Sequence, residues 1–330
     1  MKIEGKTILV TGAGGFIGSH LVEALASKGA ELKIFIRYNS RNDLGMLKDI
    51  PSDIKNNLDI ITGDIIDFGT VKKAVKNCDI VFHLAALIGI PYSYVAPGRY
   101  VDTNIKGTLN ILQASREEGV EKIIHTSTSE VYGTAKYVPI DENHPLEGQS
   151  PYSASKIGAD MLAHSYFFSF NTPIAIIRPF NTFGPRQSAR AVIPTIISQA
   201  LSENKVNLGM LTTVRDFTYV NDTVNGFIKV AESDISIGDI FNIGNGTGIT
   251  IGELAKKILT IMECQDIPIY SDGNRIRPEK SEVLNLICDN SKAKSMIGWS
   301  PRYSLDEGLK ETIDWVRQNK NIYKSGVYNI

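Results

Sequence analysis

The chain has 330 residues, of which 42% are hydrophobic, so it exceeds the size that a single small core usually serves. Lysine and arginine number 35 and aspartate and glutamate 36, which gives a formal net charge of −1. A chain with this balance has no global field for nucleic acid or for a membrane surface. No run approaches the roughly 18 apolar residues of a membrane span, and the N-terminus has no cleavable apolar segment, so we expect a soluble, cytoplasmic protein.

The cysteines and histidines do not form a recognisable metal site. Cys78, Cys264 and Cys288 lie far apart, which argues against a disulfide framework and against a thiolate site of the CxxC type. The five histidines are scattered without metal-ligand spacing. We therefore expect a reducing compartment and no bound metal.

The first 180 residues alternate short apolar runs with amphipathic stretches, as in βαβ units packed on a parallel sheet. The predicted strands cover residues 7–10, 32–36, 58–62, 79–85, 122–128 and 174–180. Helices are predicted between them, including a long one that begins at Thr103. This alternation predicts an α/β fold with a Rossmann-like, doubly wound parallel sheet.

After residue 180, turn-rich pieces separate shorter helices, which predicts a smaller, mixed α/β C-terminal lobe. We expect a dinucleotide-binding domain over residues 1–180, with a returning segment near 215–243, and a substrate-binding lobe over 181–330. No linker is long enough for independent domains, so the two lobes should share an interface and a ligand-binding cleft.

A glycine-rich loop, TGAGGFIGSH, follows the first predicted strand and opens a helix. Gly12 permits a tight turn, Gly15 lets backbone N–H groups approach a pyrophosphate, and Gly18 allows the helix to pack close to the strand. Such a loop could also be a simple turn, but its position in the first βαβ unit favours dinucleotide binding.

The choice of dinucleotide depends on the end of the second strand, where NAD sites usually place an acid. Here LKIFIRYNSR offers Arg37, with Arg41 close behind, and a guanidinium suits the 2′-phosphate of NADP. Arg37 could equally stack on the adenine or be a solvated strand end, so NAD remains open. Asp64 could accept a hydrogen bond from the adenine amine or cap the following helix.

Residues 152–156 read YSASK at the start of an amphipathic stretch. On a helix, Tyr152 and Lys156 lie one turn apart on the same face. A nearby ammonium and a cationic nicotinamide would both favour the phenolate form of Tyr152, which could then accept a proton from a sugar hydroxyl. The pair is common by chance as a helix surface pair and becomes specific only together with the glycine loop.

Six blocks in one order resemble the extended short-chain dehydrogenase/reductase family: TGAGGFIGSH, HLAA, TSTSEVYG, YSASK, RPFNTFGPR and RDFTYVNDT. The resemblance implies a Rossmann domain that holds NAD or NADP, a lobe that binds a nucleotide-diphosphate sugar, and a homodimer formed by paired long helices. It implies a catalytic Thr128, Tyr152 and Lys156. The implied cofactor contacts are Gly12, Gly15, Phe16, Ile17, Gly18, Arg37, Asp64, Ile65, Leu84, Ala85, Ala86, Tyr152 and Lys156.

Ser129 and Glu130, directly after Thr128, resemble the Ser-Glu pair of nucleotide-sugar 4,6-dehydratases. The glucose enzymes carry Asp-Glu there, so Glu130 would have to act as base at carbon 5 and also return a proton to the leaving hydroxyl, unless Ser129 or water assists. Alternatively, Glu130 caps a loop or pairs with an arginine. The resemblance thus implies hydride transfer from carbon 4 to carbon 6 with loss of water.

The strings around RPFNTFGPRQSAR and HPLEGQSPYSASK are most similar to dehydratases of legionaminic acid and related pathways, which implies UDP- or GDP-N-acetylglucosamine as substrate. The resemblance and the affinity of arginine for phosphate mark four substrate contacts: Asn181, Arg186, Arg215 and Arg277. The alternatives are surface arginines or a local pair such as Arg215 with Asp216. Ile88, Pro91 and Tyr94 could shape the sugar pocket or only pack the loop.

Three other functions stay open at this point. A UDP-glucuronate decarboxylase of the same family also carries a TSEVYG block, and a 4-epimerase needs only Thr128, Tyr152 and Lys156. A cofactor-binding regulator with an inactive site is the non-enzymatic alternative, and the intact Thr128, Tyr152 and Lys156 argue against it.

Overall fold

The structure is a computed structural model that describes residues 1–323. The strands are β1 (Thr7–Thr11), β2 (Glu31–Arg37), β3 (Asp59–Gly63), β4 (Ile80–His83), β5 (Lys122–Thr126), β6 (Ile174–Pro179), β7 (Asn181–Phe183), β8 (Val206–Leu208), β9 (Val214–Tyr219), β10 (Ile240–Ile243), β11 (Gly248–Thr250), β12 (Ile269–Ser271) and β13 (Asn285–Leu286). The helices are α1 (Phe16–Ser27), α2 (Ser52–Asn56), α3 (Phe68–Val75), α4 (Ile90–Val95), α5 (Pro97–Tyr100), α6 (Gly107–Glu118), α7 (Pro151–Phe170), α8 (Val192–Ser202), α9 (Val220–Glu232), α10 (Ile251–Ile261), α11 (Ser291–Ile297) and α12 (Leu305–Gln318).

Seven parallel strands form the main sheet in the order β3-β2-β1-β4-β5-β6-β10. The chain order reverses between β1 and β4, and in open α/β sheets ligands bind at the carboxyl ends of strands beside such a reversal. The predicted Rossmann-like parallel sheet is therefore confirmed.

The inner strands of the main sheet are apolar on both faces because helices cover both faces, whereas the edge strand β3 is largely exposed. In β1, Ile8 and Val10 enter one core while Leu9 enters the other. Residues of α1 and α9 complete the first core, and residues of α3, α6 and α7 complete the second. Two covered faces explain why these strands appear in the sequence as continuous apolar runs and not as alternating ones.

The second half of the chain contributes to both parts of the molecule. In the segment near 215–243, which we expected to return to the first domain, β10 pairs with the main sheet and α9 packs against it. Strand β9 instead lies in a second sheet with β7, β11 and β13. A further pair, β8 and β12, and the helices α8, α10 and α12 pack beside that sheet. The two sheets leave a cleft between them that both halves line.

Several boundaries differ from the predicted ones for local reasons. The predicted strand 79–85 ends at His83, because the Leu84 and Ala85 N–H groups each donate to Thr11 Oγ1 at 3.2 Å. The long helix predicted from Thr103 begins instead with one π-helical stretch, Val101–Lys106, that continues into α6. Across residues 1–323, every helix is too short or too polar to cross a membrane.

Candidate active site

A cavity of about 860 Å³ opens at the carboxyl ends of the main-sheet strands, a volume typical of small-ligand sites. One wall comes from the glycine loop, the ends of β2 to β5 and the start of α7. The other wall comes from β7, the segment 187–195 and the strand β9 with the residues around 275–282. Among residues 1–323, no group of three or more metal-ligating side chains is close enough to hold a metal ion.

The glycine loop fits a dinucleotide pyrophosphate. Gly12 has φ +71°, and a Cβ there would lie 2.7 Å from the Ala85 backbone nitrogen, while a Cβ on Gly18 would overlap the Gly12 carbonyl oxygen. Helix α1 begins at Phe16, directly after Gly15, and no side chain caps it. The N–H groups of its first turn are therefore free for an anion at the positive end of the helix.

The predicted cofactor contacts line this cavity, with one exception. The lining residues among them are Gly12, Gly15, Phe16, Ile17, Gly18, Arg37, Asp64, Ile65, Leu84, Ala85, Ala86 and Tyr152. Lys156 is the exception, since its side chain is buried behind the wall. The structure thus brings together residues that the sequence separates by more than 130 positions.

Two carboxylates and one guanidinium lie at the adenosine end of the cavity. Arg37 extends from the end of β2, and its Nε lies 3.8 Å from Asp64 Oδ2. Asp43, in the loop after β2, lines the same end, and its Oδ1 accepts a hydrogen bond from the Gly45 N–H at 2.8 Å. Arg37 is therefore already beside one negative charge, with a second in the same wall.

Thr128, Glu130 and Tyr152 meet on the wall of the cavity next to the β5 end. The Thr128 hydroxyl accepts the Glu130 N–H at 3.2 Å, and this turn directs both side chains toward the cavity. The Glu130 carboxylate has no hydrogen bond or ion pair with any other described residue. Glu130 is therefore available for a ligand: its side chain caps no loop, and it acts on Arg215 only at a distance, where its charge opposes the lowering of the Arg215 pKa by burial.

The Tyr152 phenol is protonated in this environment and needs help to become a base. Burial raises its pKa, a hydrogen bond with Thr128 acts in the opposite direction, and the Glu130 charge adds to the rise. One turn along α7, Lys156 Nζ donates to the Thr126 carbonyl at 2.6 Å. Burial lowers the pKa of Lys156 to about 8, partly offset by Asp160. A bound cation near Tyr152 would favour its phenolate.

A buried charged cluster holds α7 against the ends of β5 and β6. The Asp160 carboxylate accepts hydrogen bonds from Ser127 Oγ at 2.7 Å, from Arg178 Nη2 at 3.0 Å and from His125 Nε2 at 3.1 Å. Burial would raise the pKa of Asp160, but the His125 bond and the Arg178 charge lower it to about 2. The cluster fixes the helix that carries Tyr152 and Lys156.

Three of the four predicted substrate contacts line the far wall: Asn181, Arg215 and Arg277. Asn181 Oδ1 is buried without a hydrogen-bond partner among the described residues. Arg215 Nη2 lies 3.3 Å and Arg277 Nη1 3.7 Å from the same oxygen of Glu282, which also faces the cavity. This wall offers two guanidinium groups and an unsatisfied amide oxygen to a polar, anionic ligand.

Arg186 and Ser129 do not lie where the sequence analysis placed them. Arg186 turns away from the cavity and forms a two-pronged ion pair with Glu23 at 2.9 and 3.0 Å, so it is removed from the predicted substrate contacts. Ser129 is buried beside the turn and does not line the cavity. A sequence motif gives the residue type, but the side-chain direction depends on partners that lie far away in the chain.

Several cavity residues were missed by sequence reasoning, chiefly Asp43, Ser188, Arg190 and Glu282. Arg190 Nη1 would lie 3.5 Å from a Cβ on Gly89, which places its charge near the sugar side of the cavity. The sequence contains only weak signals for these residues. Asp43 is a single acidic residue in the loop after β2, and the others lie close to motifs that already had an assigned role. Of the three predicted sugar-pocket residues, Ile88 and Pro91 line the cavity, whereas the Tyr94 hydroxyl bonds Ser281 Oγ at 2.6 Å.

Comparison with known proteins agrees with this geometry. Residues 9–312 match the family described as GDP-mannose 4,6 dehydratase. A UDP-N-acetyl-alpha-D-glucosaminuronate decarboxylase from Bacillus cytotoxicus is 32% identical, over 96% of this chain and 99% of the relative. The dTDP-glucose 4,6-dehydratase DesIV from Streptomyces venezuelae, solved with NAD bound, superposes with a TM-score of 0.84 at 29% identity, over 96% of this chain and 99% of that one.

A UDP-N-acetylglucosamine 4-epimerase from Methanobrevibacter ruminantium, solved with UDP-N-acetylmuramic acid, superposes with a TM-score of 0.86 at 32% identity, over 96% of this chain and 99% of that one. These similarities span nearly all of the sequence and agree with the glycine loop, the YSASK helix and the shared cavity. The chain therefore belongs to the extended short-chain dehydrogenase/reductase family, among the NAD(P)-dependent enzymes that dehydrate, epimerise or decarboxylate nucleotide sugars.

Proposed function

We propose that the protein is a nucleotide-sugar 4,6-dehydratase that converts UDP- or GDP-N-acetylglucosamine to its 4-keto-6-deoxy product. The observation that carries this proposal is the unpaired Glu130 carboxylate in the same cavity wall as Thr128 and Tyr152. A dehydratase needs a base at carbon 5 in addition to the group that deprotonates the carbon-4 hydroxyl. An epimerase has no use for that second base.

Tyr152 accepts the proton of the carbon-4 hydroxyl, and the Thr128 hydroxyl hydrogen-bonds the same oxygen as it becomes a carbonyl. Bound NAD(P) supplies the temporary store for two electrons that this redox-neutral reaction requires. Lys156 helps to hold the ribose next to the nicotinamide, and its charge favours the Tyr152 phenolate. Its buried position one turn behind Tyr152 suits the second role, whereas the first requires that its Nζ, which donates to the Thr126 carbonyl, also reaches the ribose through the cavity wall.

Glu130 then removes the carbon-5 proton, which the neighbouring carbonyl has made acidic. The same carboxyl group returns a proton to the carbon-6 oxygen, so that water leaves and a double bond joins carbons 5 and 6. Carbon 6 would then take back the hydride removed from carbon 4, and carbon 5 would regain a proton from solvent by way of Glu130, which completes the 4-keto-6-deoxy product. Ser129 is buried outside the cavity, so the structure offers no help from this residue, and Glu130 serves both steps unless a water molecule assists.

We propose NAD in preference to NADP, against the expectation from Arg37 alone. Arg37 lies 3.8 Å from Asp64, and Asp43 adds a second carboxylate to the cavity lining. Asp64 therefore already compensates the Arg37 charge, which weakens the attraction of Arg37 for a 2′-phosphate. Carboxylates accept hydrogen bonds from free ribose hydroxyls, as an acid commonly does in NAD sites.

The acetamido sugar is supported by an apolar wall and by the resemblance to dehydratases of legionaminic acid and related pathways. Ile88, Ile90 and Pro91 line the cavity, and Ile90 packs in one apolar cluster with Tyr152, so this wall offers packing for an acetamido methyl group. Arg215 and Arg277 are the groups that we assign to the diphosphate, and Asn181 is a further polar contact.

A panel of UDP- and GDP-sugars tests the function directly. Mass spectrometry of the product distinguishes loss of water, loss of carbon dioxide and no mass change, and a dehydration in heavy water should also place deuterium at carbon 5. Glu130→Gln should bind NAD and the nucleotide sugar but lose at least about 100-fold in dehydration rate, because its amide cannot take a proton. Glu147→Gln, a change at an exposed pair with Lys136, is the matched control and should keep full activity.

A decarboxylase is the second candidate, because Arg190 places a cation near the sugar side of the cavity, where it could pair with a carboxylate at carbon 6. Release of carbon dioxide from a UDP-uronate, without dehydration of any sugar in the panel, would replace the dehydratase proposal. Binding of sugars without any product would indicate an inactive, regulatory protein.

We also propose a homodimer formed by α6 and α7. The two helices pack together, and their outer faces expose Leu109, Met161 and Phe168, the last with 74% of its surface accessible. Apolar side chains on adjacent helices are suited to a second copy. Light scattering on the full chain tests this proposal, and a monomeric mass at micromolar concentration would reject it.

A further inference from the structure

We propose that Arg186 is a positioning residue that couples the cofactor helix α1 to the segment 187–191 on the substrate side of the cavity. Both of its terminal nitrogens donate to Glu23, at 2.9 and 3.0 Å. The Arg186 side chain is only 9% exposed, and the two parallel bonds fix the orientation of its guanidinium against Glu23. Glu23 lies on α1, two turns after the residues that line the cofactor end.

Additional contacts hold the segment to α1 and to the second lobe. His20, also on α1, has its Nε2 3.0 Å from the Pro185 carbonyl oxygen. The Arg186 guanidinium lies over the Trp315 ring of α12 at 5.9 Å. Arg186 itself has φ +67°, a backbone conformation that a non-glycine residue keeps only where the surrounding contacts enforce it. Arg186 thus contacts both α1 and α12, and it directly precedes the segment 187–191.

The residues that directly follow this junction form part of the cavity wall. Gln187, Ser188 and Arg190 all line it, and the Gln187 carbonyl accepts the Tyr323 hydroxyl at 3.0 Å. A cofactor that orders the first turn of α1 therefore also restrains the substrate wall through the Arg186–Glu23 pair. By thermodynamic reciprocity, a nucleotide bound at that wall strengthens cofactor binding by the same factor. The inference rests on the proposed function only in that one cavity takes both NAD and a nucleotide sugar.

Hydrogen exchange on the full chain, measured with and without NAD, tests the coupling. In the wild type we expect NAD to slow exchange both in the first turn of α1 and in residues 187–191. In Glu23→Gln and Arg186→Gln, the protection of α1 should remain while that of 187–191 is lost. Glu23 lies at the edge of the pair with a 25% exposed side chain, so this variant keeps the test usable if Arg186→Gln fails to fold.

Lys28→Gln is the matched control, because it breaks another ion pair of α1, with Glu232 at 2.9 Å, and leaves residues 187–191 untouched. Two results would overturn the proposal. The first is that NAD protects residues 187–191 in Glu23→Gln as strongly as in the wild type. The second is that NAD protects α1 of the wild type but leaves its residues 187–191 unprotected.

A second readout is the dissociation constant of UDP without and with NAD. NAD should tighten UDP binding about fivefold in the wild type and hardly at all in Glu23→Gln, which a mere loss of thermal stability would not produce. An unchanged ratio in Glu23→Gln would count against the coupling. Intact coupling in a protein that dehydrates no sugar would instead refute the proposed function and leave the role of Arg186 standing.

Discussion

Charges are arranged in opposite ways on the two sides of the cavity. Under α7, the carboxylate of Asp160 is bonded to Arg178, His125 and Ser127 and is shielded from water. On the far wall, two guanidinium groups share the single carboxylate of Glu282, and Arg277 Nη1, 3.7 Å from it, is buried without a hydrogen bond. In the buried cluster, the charged groups form hydrogen bonds with one another and hold the helix rigidly. On the far wall, guanidinium N–H groups remain free to donate hydrogen bonds to a ligand. Groups that are satisfied without a ligand support the site, and unsatisfied groups next to a cavity indicate binding.

The largest effect should follow from breaking the buried cluster. Asp160→Asn removes the charge that compensates Arg178, and an uncompensated buried guanidinium costs about 3–5 kcal/mol of unfolding free energy. Urea denaturation measures this loss. Glu117→Gln, which breaks the exposed pair with Lys72 at 2.6 Å, is the control and should change stability little. Equal losses in the two variants would mean that the cluster is not the rigid part of the site.

The pH dependence of NAD affinity distinguishes the contribution of the Lys156 charge from the contributions of neighbouring titratable groups. Burial lowers the pKa of Lys156 to about 8, so its charge is present below pH 8 and lost as the pH rises through that value. Burial lowers the pKa of His83 and of His125, the raised pKa of Tyr152 keeps it a phenol, and Asp160 stays ionised. Lys156 is therefore the group of this set that changes charge near pH 8.

NAD affinity, followed by titration calorimetry, should weaken by up to about tenfold per pH unit above pH 8. Lys156→Arg keeps its charge over that range and should show a flat profile, even if its affinity at pH 7 is lower. A flat wild-type profile between pH 7 and 9.5 would rule out a charged Lys156 as a cofactor contact.

The unsatisfied wall should show its role in substrate affinity. Arg277→Gln removes one charge-assisted contact to the diphosphate, so KM for the nucleotide sugar should rise about tenfold while kcat changes less. Steady-state kinetics provides both constants. Arg317→Gln, at the surface pair with Asp314 on α12, should leave both unchanged. A fall in kcat with constant KM would place Arg277 in the chemical step and not in binding.

The smallest expected effect concerns cofactor choice. Asp43→Asn removes one of two negative charges at the adenosine end, so the preference for NAD over NADP should narrow by about fivefold. The ratio of the two dissociation constants measures it. Asp67→Asn is matched to it, because Asp67 Oδ1 also accepts a backbone N–H, from Gly69 at 3.0 Å, but does not line the cavity. Tighter binding of NADP than of NAD by the wild type would contradict our proposal.

Much of the site could be predicted from sequence because its key groups are local in the chain. The turn at Gly12, the start of α1 and the one-turn spacing of Tyr152 and Lys156 each depend on a few neighbouring residues. The direction of the Arg186 side chain could not be predicted, because its partner Glu23 is 163 positions away, a distance that no local pattern reveals. Asp43 was missed because only the folded loop brings it to the cavity wall.

The sequence by itself determined the parallel sheet, the glycine loop and the presence of a Tyr, a Lys and a Glu suited to sugar chemistry, because periodicity and short spacings dictate local structure. The tertiary structure decided which charged groups face the cavity and which satisfy one another in the interior. It left Glu130 without a hydrogen bond or close ion pair, bound Arg186 to α1 and set the Asp64 carboxylate near Arg37. Such choices depend on distance and burial, and both arise only when remote segments of the chain pack together.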